Sequence, residues 1–172
     1  GLWLTLWRGG IRLMGLPLIA AGVSATLLAD PPDLFVSRDV RMAALRTEDG
    51  LVFLPRAGSD YEAEVWQRAA GVIPGVGGEE RANCDKRACI AEAGDLRVSY
   101  VIEPMAFDED CSWADVIVTK LAPPAWCGGE SGQPIVIGPD DAARSGAMAL
   151  SRSGDGFVVG TAAARAGDRP WT

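Results

Sequence analysis

Four cysteines are the residues of this chain whose type and spacing most directly suggest chemistry: Cys84, Cys89, Cys111 and Cys127. An even number of cysteines in an exported protein predicts disulfides, and four cysteines allow three pairings. We expect the most local one, in which Cys84 pairs with Cys89 and Cys111 with Cys127. Zinc bound by four thiolates, and free buried thiols, are the alternatives. Structural zinc sites bring their ligands in pairs spaced by about two to four residues, a pattern that these cysteines fit poorly.

Catalysis by an imidazole is excluded because the chain contains no histidine. This rules out Ser-His-Asp hydrolysis, Cys-His nucleophiles and metal sites with histidine ligands. The stretch Gly129-Glu130-Ser131-Gly132 resembles a nucleophile elbow, but its spacing differs from G-x-S-x-G. A Ser-Lys pair that includes Lys120 is the remaining nucleophile hypothesis. We predict no catalytic residue, no cofactor and no metal site.

Two acidic clusters have the ligands that hard cations prefer. Asp108-Glu109-Asp110 could bind Mg²⁺ or Ca²⁺ through carboxylate oxygens. We interpret it instead as the acidic first turn of a helix or as a solvated face. Asp140-Asp141 follows Gly138-Pro139, a pattern that predicts the start of a helix, where acidic residues favour the helix dipole.

Aromatic residues could bind nucleic acid by stacking on the bases of a single strand. Trp66, Trp113 and Trp126 are the candidates. No run of lysine and arginine accompanies them, so we predict that they pack in the core or against disulfides. Arg169-Pro170-Trp171, near the end of the sequence, is a further candidate for contact with a partner or a membrane surface.

The first thirty residues differ from the rest of the chain. Residues 13–29 carry no charge, and their number is near the roughly 20 residues that cross a bilayer. Gly15 and Pro17 are costly in soluble helices and common in membrane helices. We therefore predict a transmembrane helix over residues 11–29. A buried core helix and a secretory signal peptide, cleaved after Ala25 or Ala29, are the alternatives.

Charges on either side of this segment predict its orientation. Arg8 and Arg12 precede most of it, whereas Asp30 and Asp33 follow it. Because positive charge stays on the cytoplasmic side, residues 1–10 are expected at the cytoplasmic end and residues 30–172 in an extracytoplasmic domain. Residues 1–29 contain these two arginines and no acidic residue. The net charge is therefore −9 for residues 30–172, against −7 for the whole chain. Such a domain has no overall attraction to phosphate backbones.

Alternating apolar residues and turn sequences predict the elements that position these side chains. We expect three β-hairpins, each with a glycine-containing turn, over residues 41–55, 89–102 and 147–161. Single strands are expected at 34–36, 114–118 and 134–137. A helix capped by Ser59 or Asp60 is expected to run to Ala70, and a short helix to begin at Pro104. The fold class is therefore α/β, with a mixed sheet.

The order of several segments resembles the C-terminal end of the ComEC/Rec2 competence proteins in their alphaproteobacterial form. These are inner-membrane proteins that pass single-stranded DNA into the cell. The segments that carry the resemblance are Leu6-Trp7-Arg8-Gly9, Gly15-Leu16-Pro17-Leu18, Pro32-Asp33-Leu34-Phe35-Val36-Ser37, Met42-Ala43-Ala44-Leu45-Arg46, Asp110-Cys111, Ala114-Asp115-Val116-Ile117-Val118, Pro134-Ile135-Val136-Ile137 and Gly167-Asp168-Arg169-Pro170-Trp171-Thr172.

In many members of this family the exported domain resembles a metallo-β-lactamase. The metal-binding type has a His-x-His-x-Asp-His motif after a strand that resembles residues 114–118. Here the corresponding residues, 120–127, contain no histidine. The resemblance therefore implies a truncated, degenerate, metal-free domain.

The functional expectation is a domain with a structural or gating role in an inner-membrane DNA-uptake protein, with residues 30–172 in the periplasm. Its expected partners are the membrane, the remainder of the parent protein and single-stranded DNA in transit, for which the sequence shows no direct binding site. A divergent exported hydrolase or nuclease that uses carboxylates and a hard metal is one alternative. A secreted binding module, released by signal cleavage, is the other.

Overall fold

The computed structural model describes residues 15–27, 31–55, 61–72, 82–128, 134–154 and 156–167. The chain divides into two compact units, Gly1–Pro31 and Pro32–Thr172. In the first unit, helix α1 covers Gly15–Leu27. The elements of the second unit, in chain order, are β1 (Leu34–Val36), β2 (Ala43–Thr47), β3 (Gly50–Leu54), α2 (Tyr61–Ala69), β4 (Asn83–Cys84), β5 (Ala88–Ala93), β6 (Leu96–Val101), a 3-10 turn (Pro104–Ala106), α3 (Phe107–Trp113), β7 (Val116–Thr119), β8 (Ile135–Ile137), α4 (Pro139–Ser145), β9 (Met148–Ser153), β10 (Gly156–Thr161) and α5 (Ala162–Ala166).

The transmembrane helix predicted over residues 11–29 is not found. The described part of this segment is helix α1, which has 13 residues. Among the helices that the structure describes, none is both long and apolar enough to cross a membrane. Residues 11–14 and 28–29 of the predicted span lie outside the described residues.

The second unit contains two five-stranded sheets. Sheet 1 has the order β10-β9-β1-β2-β3, and every neighbouring pair in it is antiparallel. Sheet 2 has the order β4-β5-β6-β7-β8. Its first three strands are antiparallel, whereas β6, β7 and β8 are parallel to one another. The three predicted hairpins are present as β2–β3, β5–β6 and β9–β10, and the α/β class is confirmed.

The two sheets bury one large apolar core between them. Its members come from both sheets and include Leu34, Leu45, Val98, Val116 and Leu150, which are all at most 1% exposed. A hydrogen bond also joins the sheets: the hydroxyl of Tyr100 on β6 donates to the carbonyl of Val40, which follows β1 (2.9 Å). Burial, and to a smaller extent the charge of Asp39, raises the pKa of Tyr100 to about 12.

Helices cover the outer faces of both sheets. On sheet 1, Phe35 points away from the shared core and its ring stacks on Trp66 of α2, with centroids 5.8 Å apart. On sheet 2, Val101 and Ile117 form a smaller core with Phe107 of α3. Strand β6 shows the effect of this cover: its residues alternate between buried and partly exposed at first, and then stay buried from Val98 onward. The layers are therefore helix, sheet, sheet, helix.

Candidate functional site

The disulfide Cys111–Cys127 ties helix α3 to the segment that follows β7. The two Cα atoms are 5.6 Å apart and the cysteines are 16 residues apart in sequence. Cys127 is buried in the smaller core with Phe107 and Ile117. Residues 120–127, where the resemblance would place a metal motif, are thereby held against α3 and the outer face of sheet 2.

The second disulfide, Cys84–Cys89, joins the directly paired residues of β4 and β5. It lies at the far edge of sheet 2, where β4 has only two residues. No cysteine is left free. The prediction of two disulfides is confirmed, in the local pairing, and the zinc and free-thiol alternatives for these four cysteines are wrong.

The acidic cluster does not converge on one point. Asp108 and Glu109 are exposed, whereas Asp110 is 7% exposed and accepts a hydrogen bond from the buried hydroxyl of Ser99 (2.6 Å). All three residues lie in the first turn of α3, as the helix interpretation predicts. Among the described residues, no group of three or more Asp, Glu, Cys and His side chains could hold a metal ion.

The carboxyl of Asp110 titrates abnormally because of its position. Burial raises its pKa above the ordinary value, the hydrogen bond from Ser99 opposes this shift, and the charges of Glu109 and Asp85 add to it. The folded-state pKa therefore lies above the unfolded one, so ionised Asp110 costs the folded state free energy. This cost is present at neutral pH, begins to fall as the pH drops through the folded-state pKa, and is gone below the unfolded-state pKa.

We expect Asp110→Asn to raise the midpoint of thermal unfolding at pH 7 by a few degrees, corresponding to roughly 1 kcal/mol. The amide oxygen can still accept the hydrogen bond from Ser99, and the buried charge is gone. Thermal unfolding should be followed by circular dichroism at pH 7 and near pH 3, where the gain should vanish. Asp108→Asn is the matched control, since Asp108 is exposed. A destabilised Asp110→Asn at pH 7 would contradict the prediction.

Two of the three candidate tryptophans pack as predicted. Trp66 stacks on Phe35, and Trp113 borders the smaller core while the guanidinium of Arg97 lies 5.6 Å from its ring centroid. Arg97 also pairs with Asp115 (3.2 Å). Burial opposes the ionisation of Asp115, but hydrogen bonds from the Arg97 side chain and backbone and the charge of Arg97 lower its pKa overall.

Trp126 is the exception, because 53% of it is exposed. The next residue, Cys127, is turned inward by its disulfide, and Trp126 lies outside the core. Ile102 and Met105, which follow β6, are exposed as well. Sequence reasoning missed this set of exposed apolar residues, since each of the three belongs to a different short segment.

Cations accompany Ile102 at one end of sheet 2. Val101 is the partner of Ala88 on β5 and of Thr119 on β7, so Arg87 and Lys120, which continue those strands, emerge at the same end. Lys86 precedes Arg87, and all three cations are exposed. Exposed cations of this kind can neutralise the phosphates of a nucleic acid. Glu103 is an exposed acid at this end, and the carboxylate of Asp85 accepts hydrogen bonds from the backbone of Arg87 and Ala88.

The other candidate residues fall into two groups. Asp140 and Asp141 lie in the first turn of α4, as predicted, and Asp141 accepts hydrogen bonds from the backbone N–H of Gly138 (3.0 Å) and from Arg144 (2.8 Å). Gly129-Glu130-Ser131-Gly132 and Arg169-Pro170-Trp171 lie outside the described residues, so the structure does not test the Ser-Lys alternative.

Comparison with known proteins adds no relative to this description. No protein-family model, no curated protein and no solved structure matches the chain.

Proposed function

We propose that residues 30–172 are the periplasmic domain of a ComEC/Rec2-like inner-membrane protein that takes up DNA. The domain has a structural or gating role in that protein and performs no metal catalysis. Its partners are the membrane, the remainder of the parent protein and single-stranded DNA in transit.

One observation carries the proposal: all four cysteines are engaged in disulfides. Disulfides form and persist in oxidising compartments such as the periplasm and are rare in the cytosol. This supports the orientation inferred independently from Arg8 and Arg12 on one side of the apolar segment and Asp30 and Asp33 on the other.

The domain has the mixed α/β architecture that was expected of it. Two sheets share a core, and a helix packs on each outer face. The segment that stands for the metal motif is held down by Cys111–Cys127. A disulfide at this position suits an enzyme-like domain that has a structural role in the parent protein.

The end of sheet 2 that carries Lys86, Arg87 and Lys120 is the surface that suits a passing DNA strand. It presents three exposed cations on a domain whose net charge is negative. Contacts of this kind are sequence-independent and are weakened by salt. A transient, non-specific contact suits a single DNA strand that passes through the channel.

The role is tested in the bacterium that encodes the chain, by deleting the codons for residues 32–172 in frame. We expect natural transformation and the uptake of labelled DNA to be lost, because the domain supports the channel. Immunoblotting of the truncated protein at the wild-type level is required for this comparison. Normal transformation by a strain that makes the truncated protein would refute the role.

A double variant separates a structural role from the hydrolase alternative. Asp108→Asn combined with Asp110→Asn removes two carboxylates of the acidic cluster and leaves the fold intact, because the amide introduced in place of Asp110 can still accept the hydrogen bond from Ser99. The structural role predicts wild-type transformation for this variant. A divalent-metal-dependent hydrolase predicts its loss.

A further inference from the structure

Strand β10 leaves one long edge of sheet 1 open. It has six residues, and within the described part of the chain β9 is its one neighbouring strand. Val158 and Val159, whose side chains point to opposite faces of the sheet, are 60% and 43% exposed. An apolar, exposed edge strand is a template for pairing with another strand, and natural proteins usually block such edges with charges, proline or bulges. None of these is present in Gly156–Thr161.

The register of the hairpin shows which backbone groups face this edge. Ser153 is the direct partner of Gly156, and the N–H of Ala162 donates to the carbonyl of Ala147 (2.8 Å). Residues in an antiparallel pair alternate between bonding inward and outward. Gly156, Val158 and Gly160 therefore bond to β9, while the N–H and C=O groups of Phe157 and Val159 point to the open edge.

The other three sheet edges are less suited to pairing. Strands β4 and β8 have two and three residues. At the edge of β3, Pro55 follows the strand directly. The side chain of Val72 also lies 3.5 Å from the position that a Cβ on Gly50 would occupy. The edge of β10 is therefore the best site for a further strand.

We propose that β10 pairs antiparallel with β10 of a second copy of this chain, about a twofold axis at Val159. Sheet 1 of one copy and sheet 1 of the other then form one continuous sheet across the dimer. A closed dimer with twofold symmetry uses the same surface on both copies, so the surface must be complementary to itself. This proposal is independent of the proposed function.

Charge permits a second copy to dock at this edge and at few other places. The chain carries a net charge of −7, so two copies repel each other over most of their surface. The nine residues from Gly156 to Ala164 carry no charge. The strand itself therefore brings no like charges together, and the cation beside it is Arg165, which can turn away because its side chain is flexible.

Steric fit points the same way. With Val159 opposite Val159, the twofold axis sets Phe157 opposite Thr161 and Val158 opposite Gly160. Directly opposed side chains in a sheet are neighbours, and glycine leaves room for the exposed valine of the other copy. The nearest atoms to a Cβ built on Gly160 are the Ala149 carbonyl oxygen at 3.6 Å and the flexible end of Arg165 at 4.0 Å.

The test uses the full 172-residue chain in detergent micelles, with sedimentation velocity over a range of protein concentrations. We expect a concentration-dependent dimer for the wild type. Val159→Lys and Val159→Glu, each alone, should raise the dissociation constant about tenfold or more, because like charges stand directly opposite each other. An equimolar mixture of the two variants should restore a dimer, now a heterodimer, with affinity near that of the wild type.

A backbone variant tests the hydrogen bonds themselves. Val159→Pro removes an N–H that points away from β9, so the hairpin keeps its ladder while the dimer loses two symmetric hydrogen bonds. We expect a rise in the dissociation constant of roughly tenfold to a hundredfold. Val159→Ala, which keeps the N–H, is the matched control and should dimerise nearly as the wild type does.

Several results would overturn the proposal. One is a wild-type chain that stays monomeric at every concentration. Another is a dimer that is weakened by none of Val159→Lys, Val159→Glu and Val159→Pro. The third is an equimolar mixture of the Lys and Glu variants that fails to associate. If Val159→Pro does not fold, as judged by circular dichroism, the charge pair alone decides. A monomeric wild type would assign the edge to a strand from a different chain.

Discussion

Replacing both Cys111 and Cys127 by serine is expected to lower the free energy of unfolding by about 3 kcal/mol, as the chain-entropy model gives for a loop of this size. The disulfide closes a 16-residue separation that includes β7 and the segment after it. Without the link, the unfolded chain gains conformations that it otherwise lacks. In the folded state, residues 120–128 lose their attachment to α3.

The matched control is the double variant Cys84→Ser with Cys89→Ser. Its disulfide closes a separation of five residues, for which the same model gives about 2 kcal/mol. Thermal unfolding of both variants under identical conditions should therefore rank Cys111–Cys127 as the larger contributor. A larger loss for the short loop would contradict the entropic account.

Limited trypsin digestion adds a local measurement to the same pair of variants. Lys120 lies at the start of the segment that Cys127 holds down, and Lys86 lies between the two cysteines of the short disulfide. We expect faster cleavage after Lys120 in the Cys111/Cys127 variant and faster cleavage after Lys86 in the control. Equal rates at both lysines in both variants would show that the disulfides do not restrain these segments.

Leu45→Ala is expected to cost about 2–5 kcal/mol, the range for a large buried side chain truncated in a packed core. Leu45 has no exposed surface and lies between Leu34 of β1 and Val52 of β3. Its side chain belongs to the core shared by both sheets. The truncation leaves a cavity where the two sheets meet, so both should lose stability together.

Urea denaturation followed by tryptophan fluorescence measures this effect. Met105→Ala is the control, because Met105 is 65% exposed, and its truncation should change stability by less than about 0.5 kcal/mol. Similar losses for the two variants would contradict the prediction. Near-complete unfolding of Leu45→Ala at low urea would support one cooperative core.

Local turn chemistry explains why the hairpins were predictable from the sequence. Glycine at Gly50, Gly94 and Gly154 takes positive φ values of 145°, 58° and 59°, which side chains disfavour. Each of these glycines stands between two apolar runs, so turn and strands could be located together. The disulfide pairing was predictable for a related reason, since both links join cysteines that are near in sequence.

Long-range pairing was not predictable in the same way. Strand β1 pairs with β9, more than one hundred residues further along the chain, and no local pattern encodes that partner. The two-sheet arrangement depends on it. Burial of the Val40 side chain at a positive φ of 54°, under the hydroxyl of Tyr100, also depends on distant contacts.

The candidate site shows the same limit. The acidic run at 108–110 was assigned to a helix start correctly, but the inward direction of Asp110 depends on Ser99, which lies on β6. Trp126 was expected to pack and is exposed, because the direction of a loop side chain is set by its neighbours in space. Lys86 and Lys120 come to one end of sheet 2 only through the pairing of β5, β6 and β7.

The position of β1 determines how the second unit would bear mechanical load. Strand β1 lies in the middle of sheet 1, between β2 and β9. Just before it, Asp33 donates its N–H to Leu150 (2.8 Å), accepts from the backbone of Arg46 (2.7 Å) with its carbonyl, and accepts from the backbone of Arg152 (2.6 Å) with its carboxylate. A pull applied through the preceding residues would reach both neighbouring strands at once. Several hydrogen bonds would then have to break together, whereas tension on an edge strand peels them away in succession.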